Sequence, residues 1–365
     1  MENNQKQKAG DNSQQIQADL IVVNQGIDEK RAREIYMEMF GNARRDFSIE
    51  AAEEVKRRVL QFEEDLIPKM QKIEGALQAF ADPAFQIMLT AAHKSAAVTE
   101  SKDDYSILSE LLIHRIKKGN DRKSIAGISR AIDIVSEIPD DALLGLTVQY
   151  AFEIIIPQSG NITAGLDALE KLFSTLIYDE LPEGSGWIEQ LDVLNAVRIT
   201  DFSSFKKLDE YYSEQLNGYC CIGIKKDSEN YNRAVDLLKQ NNLNSLLAQN
   251  EFNEEYVRLL IVNDLQIDKL NLNSLDLTTG RIIKRPLSNN EKDILHQVFS
   301  MYENDNTLKN EIKEKFVSEI DKRPNLVKIK NWIDKIPMSF NTTPIGKVLA
   351  NANAQRCNKE FPPLN

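Results

Sequence analysis

The stretch that decides the fold is Ser101-Lys-Asp-Asp-Tyr-Ser-Ile-Leu-Ser-Glu-Leu-Leu-Ile-His-Arg-Ile-Lys-Lys118. Ile107, Leu108, Leu111, Leu112 and Ile116 recur at three- and four-residue spacing, which places them on one face of an α-helix. Gly119 is the expected stop, since glycine readily takes the left-handed turn that ends many helices. The same period continues on both sides. Downstream, Arg122 to Ile138 turns Ile125, Ile128, Ile132 and Val135 inward, Pro139-Asp140 punctuates, and Ala142 to Ile156 follows. Upstream, Asp82-Pro83 sets a capping carboxylate and a first-turn proline ahead of Phe85 to Val98. Ala52, Val55, Val59, Phe62 and Leu66 form the apolar stripe of a helix capped by Ser48. Pro68 is expected to end or kink that helix near Ile67, because proline lacks an amide and crowds the preceding turn. Asp28 caps a shorter helix with Ala32, Ile35, Tyr36, Met39 and Phe40 on one face. Short polar connections favour antiparallel neighbours, so the fold class is mainly α, a multi-helical bundle.

Ahead of this body the chain stops reading as helix. In Gly10 to Val23, Ile16, Ala18, Leu20 and Val22 alternate with Gln15, Gln17 and Asp19, the period-two pattern of a strand with one apolar face. Such a short N-terminal β-strand tag presents an unpaired edge, a template for another copy. The expected partner is therefore a homo-oligomer formed through Gln15, Ile16, Gln17, Ala18, Leu20 and Val22, with the glutamines stacked into amide ladders. Docking of the strand on the protein's own body is the alternative.

Beyond Pro157-Gln-Ser-Gly160 the pattern predicts helices over Ala164 to Ile177, Trp187 to Val197, Ser203 to Leu216, Ser228 to Gln240 and Glu254 to Val262. Gly218 to Ile224 reads as a short buried strand or an irregular crossing. Leu270 to Leu277 alternates apolar and polar residues and can turn through Thr279-Gly280 toward Arg281 to Lys284 as a hairpin. Ser288-Asn-Asn-Glu291 is a capping box that opens the last module, with helices over Glu291 to Tyr302, Thr307 to Ile320 and Asn325 to Ile336. Met338 to Asn341 reads as extended, and Thr343-Pro344 starts a final helix. The expected organisation is a strand tag (1–27), a helical bundle (28–157), a second mostly helical region (158–287) and a small, winged-helix-like C-terminal module (288–365).

The chain has 365 residues, with 45 Lys and Arg against 56 Asp and Glu. A surface of that net charge does not bind polyanions as a whole. The imbalance is uneven, however: Arg281 to Asn365 holds 15 basic and 10 acidic residues. That makes the last module the place to look for a nucleic-acid surface. Its candidate reading helix, Asn325 to Ile336, presents Lys328, Lys330, Asn331 and Lys335, while Leu326, Ile329, Trp332, Ile333 and Ile336 mark a packed face. A DNA-binding regulator is thus the alternative to an interaction protein.

Signals for enzymatic chemistry are weak. His93, His114 and His296 stand in three separate helices without a second ligand at metal spacing, so no metal is expected. Gly184-Ser-Gly186 lacks the lysine and the preceding strand of a phosphate loop, and no cofactor is expected. Glu53-Glu54, Glu63-Glu64-Asp65 and Asp103-Asp104 read as solvated helix faces or helix starts. Only three cysteines occur, Cys220, Cys221 and Cys357; an odd count with two adjacent argues against a disulfide framework and for a reducing, cytoplasmic setting. No apolar run is long enough to span a bilayer of about 30 Å, and Met1 to Gln15 is polar, so no membrane association is expected.

Three stretches carry a resemblance. Gly10-Asp-Asn-Ser13 with Ile16-Gln17-Ala18, then Gly26-Ile27 and Ala32-Arg33-Glu34-Ile35, is similar to the opening of a set of uncharacterised bacterial helical proteins. Leu111-Leu-Ile-His-Arg115 through Ala131-Ile-Asp-Ile-Val135 to Leu146-Thr147 resembles their body. Phe340-Asn-Thr-Thr-Pro-Ile-Gly346 with Leu349-Ala350 and Asn353 resembles their closing F-x-L-T-x-x-G-x-x-I-A-x-x-N element, which is also similar to abortive-infection proteins of the Abi-alpha type. Thr342 stands at the leucine of that element, and Asp19 where a glycine often follows the Ile-Gln-Ala core. The opening also resembles the Ile-Gln cores of amyloid signalling motifs. The resemblance implies a role near mobile elements and phage defence and assigns no chemistry to any residue.

Overall fold

The computed structural model of the protein describes residues 27–43, 49–118, 121–200, 205–275 and 282–364. The strand expected within Gly10 to Val23, and with it Gln15, Ile16, Gln17, Ala18, Leu20 and Val22, lies outside them. Asp28 acts as the expected cap: its carboxylate accepts from the Arg31 amide at 2.8 Å, and α1 (Glu29–Ala43) follows. Ala32, Ile35, Tyr36 and Phe40 are buried, and the Tyr36 hydroxyl donates to the Val59 carbonyl of α2 (Ile49–Gln71). Of the two outcomes expected at Pro68, an end at Ile67 is not the one found: the helix continues through Pro68 for its last turn, to Gln71. Burial of Met70 and the ion pairs of Lys69 with Asp65 and Glu110 hold its last turn in place despite the amide bond that proline forfeits.

Helix α3 (Pro83–Val98) starts as its sequence dictates, Asp82 accepting from the Ala84 amide at 3.0 Å. With α4 (Lys102–Lys118), α5 (Arg122–Ile134) and α6 (Asp140–Ile154) it completes the first bundle. Within this bundle α2 packs on α3 and α4, and α5 packs on the same two helices from the other side. Ile107, Leu108, Leu111 and Leu112 of the opening stretch are buried, as the period requires.

The middle of the chain holds more strand than its pattern suggests. After α7 (Ile162–Leu176) and α8 (Gly186–Val193), the helix expected to reach Val197 stops, and β1 (Val197–Thr200) begins instead. Asn195, in the left-handed region at φ 60°, makes the turn. The next helix, α9 (Leu208–Gln215), starts later than Ser203. Strand β2 (Ile224–Lys225), helix α10 (Glu229–Gln240) and strands β3 (Leu247–Asn250) and β4 (Asn253–Leu259) follow. The helix expected over Glu254 to Val262 is corrected by β4, the central strand of an antiparallel β2-β4-β3 sheet. Tyr256, Val257, Arg258 and Leu259 are buried in succession. A strand covered on both faces loses its alternation, and period alone then fails to separate it from a helix.

The hairpin expected at Leu270 is present as β5 (Asn271–Leu275) paired with β6 (Ile282–Pro286). Ser288 and Glu291 form the capping box of α11 (Asn289–Ser300). Helices α12 (Asn306–Asp321) and α13 (Pro324–Ile333), strand β7 (Ser339–Thr342) and α14 (Pro344–Cys357) close the chain. These last elements disperse over the molecule. The β2-β4-β3 sheet, α10 and α11 enclose a second apolar core, α13 packs on α7, and β7 pairs with β1. Helix α14 is buried nearly all round, from Gly346 through Gln355, among α4, α5 and α6.

Candidate functional site: a charged cleft beside α13

The signature residues converge first on α14, where their chemistry is structural. Thr343 caps the helix: its hydroxyl accepts from the Gly346 amide at 3.2 Å and donates to the Asn195 carbonyl at 2.7 Å. A Cβ on Gly346 would lie 2.0 Å from the Ala196 carbonyl oxygen, so only glycine lets the helix meet the start of β1. Leu349 and Ala350 are fully buried, and the buried Asn353 donates to the Thr147 hydroxyl of α6 at 2.9 Å. From α4, the His114 ring nitrogen meets the Gln355 carboxamide at 2.8 Å, and Arg115 pairs with Asp82 at 3.0 Å. The middle and closing stretches are thus two halves of one core joint.

The other two histidines stand apart from this joint. His93 packs against the rings of Tyr36 and Phe62, neither of its nitrogens has a hydrogen-bond partner among the described residues, and burial pushes its pKa down to about 3. His296 lies apart on α11. Burial pushes the Cys220 and Cys221 thiols up to about 12, which makes them poor nucleophiles. Among the described residues no cluster of His, Cys, Asp and Glu has the arrangement of a metal site, and no helix is long and apolar enough to cross a membrane.

The residues read as a nucleic-acid face separate into two groups. Lys330 is engaged: its ammonium lies 3.0 Å from both Asp209 and Asp321. Burial works against its charge, but those carboxylates outweigh it and hold its pKa above the ordinary lysine range. Lys328, Asn331 and Lys335 recur at three- and four-residue spacing on the exposed side of α13 and the residues just after it. They line a cleft of about 580 Å³ whose other wall is the α7–α8 connection with Glu180, Glu183 and Gly184. Two ammonium groups and one carboxamide therefore share the cleft with two carboxylates.

The cleft stands on a fixed floor. The Trp332 indole donates to the Pro182 carbonyl at 2.8 Å, tying α13 to the opposite wall. Trp187 lies 5.8 Å from Trp332 and edge-on to Phe340 at 5.6 Å. A Cβ on Gly145 of α6 would come within 2.7 Å of Pro182 and 2.9 Å of Trp187, so glycine there lets the loop seat against the bundle. The partners Glu180, Glu183 and Trp187 lie some 150 residues upstream of α13. Nothing local in the sequence linked their segment to Lys328.

A family model whose description reads ":-like" matches residues 26–365, and the chain belongs to that family. The match takes in every described element, from α1 to α14. No curated protein and no solved structure matches the chain.

Proposed function

We propose that the protein is a non-enzymatic interaction protein that engages polypeptide partners through the α13 cleft and self-associates through its N-terminal stretch, acting in bacterial phage defence or stress response in the cytoplasm. The observation that carries this reading is the charge balance of the cleft, Lys328 and Lys335 against Glu180 and Glu183 around Asn331. A polyanion gains from a basic stripe free of carboxylates. A polypeptide, with both signs of charge and a backbone that a carboxamide can pair, suits a balanced wall. The same molecule offers a precedent: the Gln78 carboxamide accepts from the Ile27 amide at 3.2 Å and donates to its carbonyl at 3.4 Å. The defence context is supported by the sequence resemblance.

The DNA-binding alternative, with a winged-helix-like last module, would use Lys328, Lys330, Asn331 and Lys335. Engagement of Lys330 by two aspartates argues against it. The deciding experiment measures the mass of the full chain and of a chain lacking Met1 to Asn24, each with and without duplex DNA. The interaction reading expects a smaller assembly after truncation and no salt-sensitive DNA complex. A mass unaffected by truncation overturns self-association through that stretch. A DNA complex lost in Lys328→Glu/Lys335→Glu would establish the alternative.

A further inference from the structure

Four carboxylate residues are buried among the described residues, and three of them face a cation. Glu63 meets Arg33, Glu110 meets Lys69 at 3.0 Å and Lys359 at 2.6 Å, and Glu291 meets Arg285 at 2.6 Å. Asp104, in the first turn of α4, is the fourth. Its carboxylate accepts from the Thr99 hydroxyl at the end of α3, and it makes no ion pair among the described residues. The guanidinium of Arg356, which faces this corner from the last turn of α14, is taken by the neighbouring Asp103 at 2.7 Å. Asp140, in the first turn of α6, adds a further like charge. From α2, Arg58 is turned to Glu54 at 3.0 Å and Glu100 at 2.6 Å. A buried carboxylate without a counter-charge is costly to ionise. Burial, reinforced by Asp140 and Asp103, accordingly pushes Asp104 up to about 6, against the pull of the Thr99 hydroxyl and Arg356.

Arg356 joins this corner to the cleft. Its guanidinium lies over the Tyr178 ring, 4.7 Å from the centroid, and donates to Asn353 at 2.8 Å. The Asn353 amide in turn reaches the Tyr178 hydroxyl at 3.4 Å. Tyr178 belongs to the α7–α8 connection, two residues before Glu180, and the Asp179 carbonyl beside it accepts from Lys328 at 3.4 Å. One guanidinium therefore touches both the acidic corner and the segment that forms a wall of the cleft.

We propose that Asp104 is an acid-responsive switch that sets, through Arg356 and Tyr178, how firmly the α7–α8 wall of the cleft is held. With Asp104 neutral, Arg356 serves Asp103 and Tyr178 as in the structure. With Asp104 charged, three carboxylates compete for one guanidinium and its hold on Tyr178 weakens. The proposal names a regulation of the cleft and rests on the binding reading above for its purpose. Its test needs no partner, because the chain's two tryptophans, Trp187 and Trp332, both line the cleft and report on it by intrinsic fluorescence. The full chain is titrated between about pH 4 and 8, and a fluorescence transition centred at about 6 is expected. Asp104→Asn, which keeps the shape of the neutral carboxyl, should hold the acid-form signal throughout. Asp140→Asn, which removes a like charge, should move the transition to lower pH, and Tyr178→Leu should abolish it. Thermal melts supply a second readout, taken as the difference between Asp104→Asn and wild type, because His93 acts on stability in the opposite direction over the same range. The folded pKa of Asp104 lies above the unfolded value of about 3.9, so its stabilisation is complete below that value and is lost as pH rises to about 6. The advantage of Asp104→Asn in melting temperature should therefore widen between about 4 and 6 and stay constant above. A flat wild-type fluorescence signal, a transition that persists in Asp104→Asn or Tyr178→Leu or is unmoved by Asp140→Asn, or a melting difference independent of pH overturns the proposal. A cleft that binds no polypeptide while these transitions appear would overturn the function proposed above and leave the switch standing.

Discussion

Replacing Glu251 by Ala tests whether the sheet region is anchored to the bundle by one buried ion pair. Arg258 on β4 is fully buried, and its guanidinium grips Glu251 through both carboxylate oxygens at 2.8 to 3.0 Å. The same guanidinium donates to the carbonyls of Gly160 at 2.7 Å, Leu259 at 3.1 Å and Gly218 at 3.3 Å. Glu251 also accepts from the Asn161 side chain and the Ile162 amide at the start of α7, both at 3.1 Å. Removing the carboxylate leaves the guanidinium in the interior with carbonyl dipoles but no counter-charge, which costs about 3–5 kcal/mol for a buried pair. The Glu251 side chain is 28 % exposed, so water can enter the vacated space and the lower end applies. Loss of the acceptor at the α7 start adds about 1 kcal/mol. With a urea slope near 3 kcal/mol/M, the midpoint of unfolding should fall by about 1 M. The paired change Arg258→Met/Glu251→Leu should recover most of that loss, because it removes the charge that was stranded. A midpoint within about 0.2 M of wild type for Glu251→Ala would refute the anchoring argument.

Two further perturbations probe the first bundle. His93 is held neutral by burial with its pKa near 3, below its unfolded value of about 6.5, so its contribution is complete above about 6.5 and is lost as pH falls toward 3. His93→Phe should flatten that acid limb in thermal melts and raise stability at neutral pH by about 1 kcal/mol, since both ring nitrogens lack partners among the described residues; an unchanged acid limb would contradict it. Gly346→Ala puts a methyl group against the Ala196 carbonyl and should lower the melting temperature by several degrees, about 2–3 kcal/mol of overpacking, whereas Gly41→Ala, with no described atom within 4 Å of the added Cβ, should not; equal melting temperatures for the two would remove the close-approach argument.

The helices were legible because their signals are local. The Ile107 to Ile116 stripe, the Asp82 and Ser288 caps and the Leu270 hairpin each depend on residues within one or two turns of one another. Strand β4 was not legible, since burial on both faces erases the alternation that marks a strand. At Pro68 the pattern left an end or a kink open; the helix runs on to Gln71, and the packing of Met70 that holds this last turn enters only through tertiary contacts. The candidate site was half legible. Lys328, Asn331 and Lys335 do share a face, as their spacing required, but the carboxylates that balance them come from a loop far away in sequence. Lys330 shows the same limit: one of its two aspartates, Asp209, belongs to α9.

The placement of α14 ties these observations together. His114 and Gln355 are separated by 241 positions, Thr147 and Asn353 by 206, yet both pairs bond inside the first bundle. In the folded chain α14 packs against α4, α5 and α6 and supplies the partners of their buried polar groups. Contacts of such sequence separation carry a loop-closure cost and slow folding. The β1–β7 ladder reinforces the closure, since Val197 to Thr200 pair with Thr342 to Ser339 immediately before α14 begins. The floor of the cleft is tied to this arrangement: Phe340 on β7 backs Trp187, Trp187 backs Trp332, and the Trp332 indole donates to the Pro182 carbonyl. On the binding reading proposed above, the column forms the floor of the cleft, and selectivity would lie with Glu180, Glu183, Lys328, Asn331 and Lys335 on its walls.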